Sequence, residues 1–332
     1  TQSKYELSNG NTTPTVCVPW GMNEWIPQTG KNGDGWSYTY NADKIRGFKQ
    51  THRPSPWIND FGQFSLMPET GELVINEDRR ASWFSHTAEV ATPYYYSVYL
   101  ADYDVTTELT STDRAAAFRF TFPDDDAFVV IDAYDRGSWI KVIPEQNKIV
   151  GYNTRHSGGV GKNYANYFVV VFDKPFDKSY VWSGDEIVPD KSELKDDHVG
   201  AAVAFKTKRG EQITAKVASS FISVEQAEIN LKEIGARSFD AVKTASKAEW
   251  NKVLSVIDVE SDNVDQLRTF YSCFFRALVF PHKMHEIDAK GNVVHYSPFG
   301  DGGVAPGYFY TGTGFWDTFR CLFPLVNLLY PA

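Results

Sequence analysis

The hydrophobic period of this chain changes once, near Phe221, and no single-class fold accommodates such a change. Upstream, apolar side chains alternate with polar ones in short runs; downstream they recur at every third and fourth position. A period of two lines one face of a strand and a period of about 3.6 lines one stripe of a helix, so a β block must precede a helical block. In Phe118-Arg119-Phe120-Thr121-Phe122 the three rings fall on one face. Tyr94–Leu100, Val105–Thr110, Ala115–Phe122 and Phe128–Ala133 read as strands, the last pair separated by the turn residues Pro123-Asp124-Asp125-Asp126. Ile140–Ile143, Ile149–Asn153, Tyr167–Phe172, Val199–Phe205 and Gln212–Ser219 continue the series. Many short strands with no helix between them predict an antiparallel sandwich.

The helical block opens with a capping box, Ser223 with Gln226, on a helix ending near Gly235. A second helix runs from Phe239 to Ile257, with Trp250, Val253, Leu254 and Ile257 on one face. A third starts near Asn263, lines up Leu267, Phe270, Tyr271, Phe274, Phe275 and Leu278, and stops at Pro281. The Gly-rich stretch 300–314 reads as a loop, followed by a helical stripe of Phe315, Phe319, Leu322, Phe323 and Val326 that Pro324 should kink. A length of 332 residues suits about two domains. The expected division is a sandwich over 1–220, a helical linker over 221–262 and a second helical domain over 263–332. The last helix is apolar on more than one side, which predicts either a fragment or a partner that completes it.

Composition removes several functions. The net charge of −9 has the wrong sign for binding a phosphate backbone, so no nucleic-acid partner is expected. No run approaches the roughly 18 apolar residues of a membrane span, so no membrane partner is expected either. Thr1–Asn11 is polar and shows no leader. Cys17, Cys273 and Cys321 form no CxxC pair, which argues against a disulfide framework or thiolate zinc. His156–Asn163 lacks the first Gly and the closing Ser/Thr of a phosphate loop and reads as a flexible loop. Asn32-Gly33-Asp34-Gly35 lacks the remaining ligands of a calcium loop, and His282–Glu286 is not a helical HExxH, so no metal site is expected in the chain.

Two segments concentrate polar and aromatic chemistry. The first, Gly47–Gly62, packs His52, Arg53, Trp57, Asn59 and Asp60 into what reads as a Pro- and Gly-punctuated loop, the kind that holds binding groups on a scaffold. A solvated loop anchored by a buried Trp is the alternative. The second, Tyr310–Arg320, starts a helix with Trp316 and Asp317 in its first turn and Arg320 one turn on. Asp317 there suits the helix dipole, so a capping role competes with a binding one. A flat ring beside a carboxylate and a guanidinium also suits a sugar, with a face to stack on and planar groups for paired hydroxyls.

At these residues the chain resembles glycoside hydrolase family 92, the calcium-dependent α-mannosidases. The resemblance rests on Gly47-Phe48, Thr51-His52, Asp60-Phe61-Gly62 and Met67-Pro68, and on Pro19-Trp20-Gly21-Met22 with Trp where the family has Phe. Tyr96-Ser97-Val98-Tyr99-Leu100, Tyr167-Phe168 and Lys174-Pro175-Phe176 are similar to its sandwich strands. Trp316-Asp317-Thr318-Phe319-Arg320 is similar to its Trp-Asp-Thr-Tyr-Arg helix. The resemblance implies an N-terminal antiparallel β-sandwich joined by linker helices to an (α/α)6 barrel, of which 263–332 would be the first helices. It implies an inverting exo-α-mannosidase acting on mannose-containing glycans in the bacterial periplasm or outside the cell, with Ca2+ in the complete enzyme. His52, Trp57 and Asp60 are then expected at the neighbouring subsite, and Asp317 and Arg320 on hydroxyls of the terminal sugar with Trp316 beside them. The catalytic acid and base are expected beyond Ala332, in the remainder of the barrel, and none is assigned here. The rival is a non-catalytic glycan-binding module with a helical extension.

Overall fold

The structure, a computed structural model, describes residues 12–33, 36–55, 58, 60–123, 125–299 and 302–331. Two antiparallel sheets face each other. The seven-stranded sheet runs, edge to edge, through strands Glu24–Gln28, Gly47–Thr51, Phe64–Thr70, Asp126–Asp132, Val199–Lys206, Lys178–Ser183 and Glu186–Val188. The nine-stranded sheet is centred on Asn166–Phe172, Glu211–Ser220 and Ala115–Phe122. Phe118, Phe120 and Phe122 point into the gap, each 1% exposed or less, while Arg119 and Thr121 face outward, as the alternation predicts. Between the sheets Trp25 meets Phe64 and Phe118 edge-on at 5.5 and 5.3 Å, and Phe64 stacks on Phe168 at 4.3 Å.

The outer face of the larger sheet carries the first helices, α1 (Val224–Leu231) and α2 (Phe239–Leu254). Ser223 caps α1 through its hydroxyl, which accepts from Gln226 N at 3.1 Å. Arg119 reaches out from its strand to Glu108 and Asp240 and lies 4.3 Å over the Phe239 ring. The third helix, α3 (Val264–Ala277), places its stripe against Trp250 and Leu254 of α2.

Three expectations need correction. Gly47–Thr51 is a strand, registered against both Glu24–Gln28 and Phe64–Thr70, rather than part of a loop. Residues 263–332 are not purely helical: after α3 come a three-stranded sheet (His285–Ile287, Val293–Ser297, Gly303–Pro306) and a short pairing of His282–Lys283 with Tyr310–Thr311. Finally, the last helical stripe is broken rather than kinked, into α4 (Phe315–Thr318) and α5 (Leu322–Leu329). Pro324 sits in the first turn of α5, where its missing N–H is harmless, and its ring excludes the preceding helical turn. Helix α5 packs back on α2 and α3, with Tyr330 donating to the Val253 carbonyl at 2.8 Å. Phe315, Trp316 and Leu328 remain at least 70% exposed.

Candidate functional site

The strand Gly47–Thr51 runs directly into the loop that begins at His52, and Asp60 closes that loop. Its carboxylate accepts from Thr51 Oγ1 at 2.7 Å, His52 N at 2.8 Å and Phe61 N at 3.0 Å, and it pairs with Lys49 Nζ at 3.1 Å. Burial alone would raise the Asp60 pKa, but the Lys49 ammonium, His52 and these donors outweigh burial and hold it below the ordinary carboxylate range. Burial lowers the Lys49 pKa, with Asp60 opposing. Asp60 is 1% exposed and does not line the cavity described below, and its hydrogen bonds anchor the loop. Gly62 then turns the chain at φ +79°, where a Cβ would stand 2.1 Å from Asn166 Cβ; only glycine fits.

His52 is equally constrained. Its Nδ1 lies 2.9 Å from the Gly62 carbonyl and its Nε2 2.7 Å from Asn23 Oδ1, while Asn23 Nδ2 donates to the Arg114 carbonyl at 2.9 Å. Burial pulls the His52 pKa down against the pull of Asp60. With both nitrogens engaged, His52 presents its ring rather than a free nitrogen to a ligand.

That ring forms part of the wall of a cavity of about 330 Å3. The sandwich contributes His52, Pro54, Ile58 and Phe61, together with Gly158, Gly159, Val160 and Tyr164 from the loop read as a broken phosphate motif. The rest of the lining includes His282, Met284, Tyr296, Phe309 and Thr311–Gly314, together with Phe221. His282 Nδ1 lies 2.8 Å from the Gly21 carbonyl, and its Nε2 stands 3.1 Å from Glu24 Oε1 without the geometry of a hydrogen bond. Met22 is buried with Tyr164, Phe221 and Tyr296, which puts the Pro19–Met22 motif beneath the cavity. The sequence does not single out Tyr164 or Tyr296, and it offers His282 only within His282–Glu286, which fails as a metal motif; the adjacent Gly158 and Gly159, both at positive φ, belong to the loop read as a broken phosphate motif.

The loop Thr311–Gly314 leads from the cavity wall straight into α4. Gly314 is the cap residue and offers no side chain, and the Asp317 carboxylate makes no hydrogen bond or ion pair among the described residues. Asp317 therefore makes no capping hydrogen bond, although it stands in the first turn of α4. Its carboxylate folds back over Gly314, where an added Cβ would lie 2.5 Å from Oδ2. The Arg320 guanidinium lies 5.2 Å over the Trp316 ring and 4.6 Å over Phe319. Trp316, Asp317 and Arg320 are exposed beside the cavity and do not line it. Trp57 lies outside the described residues. Among the described residues no group of three or more His, Cys, Asp or Glu converges to hold a cation.

The chain matches known proteins along its whole length. Residues 1–220 match the glycosyl hydrolase family 92 N-terminal domain and residues 226–332 the family 92 catalytic domain. A family 92 inverting mannosidase from Bacteroides thetaiotaomicron superposes with a TM-score of 0.92 at 45% identity, over 96% of this chain and 43% of that one. A family 92 α-mannosidase from the same organism, solved with mannoimidazole, gives 0.80 at 27% identity, over 96% of this chain and 44% of that one. An uncharacterized secreted glycosidase from Arthroderma benhamiae is 22% identical over 315 residues, 82% of this chain and 40% of that protein. The chain thus spans less than half the length of these relatives. By its domain matches and by this architecture, the chain belongs to glycosyl hydrolase family 92.

Proposed function

We propose that the chain carries the sandwich and a substrate-holding wall of an inverting exo-α-mannosidase acting on mannose-containing glycans. The observation that carries this reading is the pairing of a cavity built jointly by the two blocks with an unpartnered carboxylate, Asp317, at its edge. The inverting mannosidase among its relatives and the mannoimidazole complex of another support it. Asp317 and Arg320 hold hydroxyls of the terminal sugar, Trp316 stiffens Arg320, and the ring of His52 faces the neighbouring subsite.

Inversion needs an acid on the leaving oxygen and a base roughly 6.5–9.5 Å away, with a water between base and sugar. Burial raises Glu69, Glu77 and Glu286, but none of them lines the cavity. Both roles are left to other residues of the catalytic domain. Calcium belongs to the complete enzyme. The fungal relative described as secreted favours an extracellular or periplasmic place. The match to the catalytic domain over residues 226–332 counts against a non-catalytic module.

Asp317→Asn in the full-length enzyme tests the assignment. Loss of one charge-assisted acceptor is worth about 1.5–3 kcal/mol, so kcat/KM for mannose release should fall roughly 10- to 150-fold with an unchanged melting temperature. A variant that melts early but keeps its activity per folded molecule would show a structural role instead.

A further inference from the structure

A second cleft opens on another seam, between the segment Trp36–Tyr40 and helices α2 and α3. It encloses about 540 Å3, in the size range of small-ligand sites, and shares no lining residue with the cavity beside His52. Tyr38, Tyr40, Tyr94 and Tyr271 supply aromatic surface. The Tyr40 ring is locked by His86, stacked at 3.9 Å and 4°, and His86 is itself held 2.6 Å from Glu89 and 2.7 Å from the Tyr40 carbonyl. A ring fixed in advance loses little entropy when a ligand stacks on it.

Arg276, in the last turn of α3, lines this cleft and also the adjoining hollow of about 210 Å3 that reaches Glu24. Its guanidinium makes no hydrogen bond or ion pair among the described residues, although burial already lowers its pKa. A planar set of N–H donors without acceptors, facing rigid rings, matches a pyranose: vicinal hydroxyls for the guanidinium and a C–H face for the rings. The net charge of −9 and Glu89 in the wall disfavour an anionic ligand.

We propose that this cleft is a second saccharide site, which takes a neutral oligosaccharide arm away from the cavity beside His52. Only the identity of the sugar rests on the mannosidase reading. The test uses the full-length enzyme with its first site saturated by mannoimidazole, titrated calorimetrically with thio-linked α-mannotriose, which resists hydrolysis. A residual one-site isotherm is expected, weakened about tenfold by Tyr40→Ala and by Arg276→Met, the latter keeping the side-chain bulk. Hydrolysis of an aryl α-mannoside should stay within about twofold in both variants, which excludes misfolding as the cause. No residual isotherm, or one that both variants leave unchanged, overturns the proposal. If mannoimidazole itself fails to bind, the mannosidase reading falls, and the triose titration still decides the cleft.

Discussion

Asp60→Asn tests whether charge, and not contact with sugar, is what Asp60 contributes. Lys49 and Asp60 sit 3.1 Å apart with side chains 3% and 1% exposed. At an effective dielectric of about 20 their attraction is about 5 kcal/mol, and breaking a buried pair from one side costs about 3–5 kcal/mol. Asparagine keeps the shape, and its carbonyl can still accept from His52 N and Phe61 N, so the loss is mainly the charge left on Lys49. A loss of about 3 kcal/mol in the free energy that opens this loop should speed amide exchange at His52 and Phe61 by roughly two orders of magnitude. Hydrogen exchange read residue by residue is the assay. The double variant Lys49→Met/Asp60→Asn removes both charges while keeping an acceptor for His52 N and Phe61 N, and should recover much of the protection. Because the folded Asp60 pKa is depressed, its contribution is complete above the pKa of an unfolded aspartate and fades as pH falls through the folded value. The gap between wild type and variant should therefore close in acid. Unchanged exchange together with lost mannoside turnover would refute the anchoring argument and return Asp60 to the sugar.

Two further outcomes follow from groups inside the sandwich. Burial lifts the Glu69 pKa to about 8, against the opposing Val74 N–H and Arg80, so the folded state binds the extra proton and stability should fall by about 3 kcal/mol from about pH 5 to 7. Glu69→Gln should flatten that slope in urea midpoints taken across the range, and parallel slopes would contradict it. Gly62→Ala should lose more than about 2 kcal/mol because its Cβ meets Asn166, whereas Gly71→Ala, at φ +81° in open space, should lose only about 1 kcal/mol. Equal shifts by scanning fluorimetry would show that the close approach at Gly62 carries no cost.

Much of this fold was legible because one face of each strand or helix is dry and apolar. The alternation through Ala115–Phe122 and the caps at Ser223 and Asn263 all have their physical counterparts in the structure. The strand Gly47–Thr51 was hidden because it is buried on both faces yet polar: Lys49 pairs with Asp60, and Gln50 donates to Asn166 at 3.0 Å. Those partners lie 11 and 116 positions further along the sequence, so no local window contains the reason for their burial. The sheet pairings between His282 and Thr311 escaped for a different cause, being too short to show a period.

The two failures have a common origin in the cavity. A wall that must hold a polar ligand needs polar side chains kept dry by one another, and it needs backbone that stops short of regular structure so that groups can be aimed. Both requirements erase the apolar period on which sequence reading depends. His52 follows directly on the strand that was misread, and Gly312–Gly314 on the pairing that was missed, and both segments line the cavity. The same logic explains why the failed phosphate motif mattered: Gly158 and Gly159 are at positive φ, and their lack of side chains lets the loop form a wall without filling the space. In this chain the stretches where hydrophobic periodicity lapsed amid His, Gly and aromatic residues were themselves the pointers to the site. Asp60 and Asp317 show the limit of those pointers. Both are acidic residues in such stretches, and only the count of donors around each carboxylate separates the sealed one from the open one.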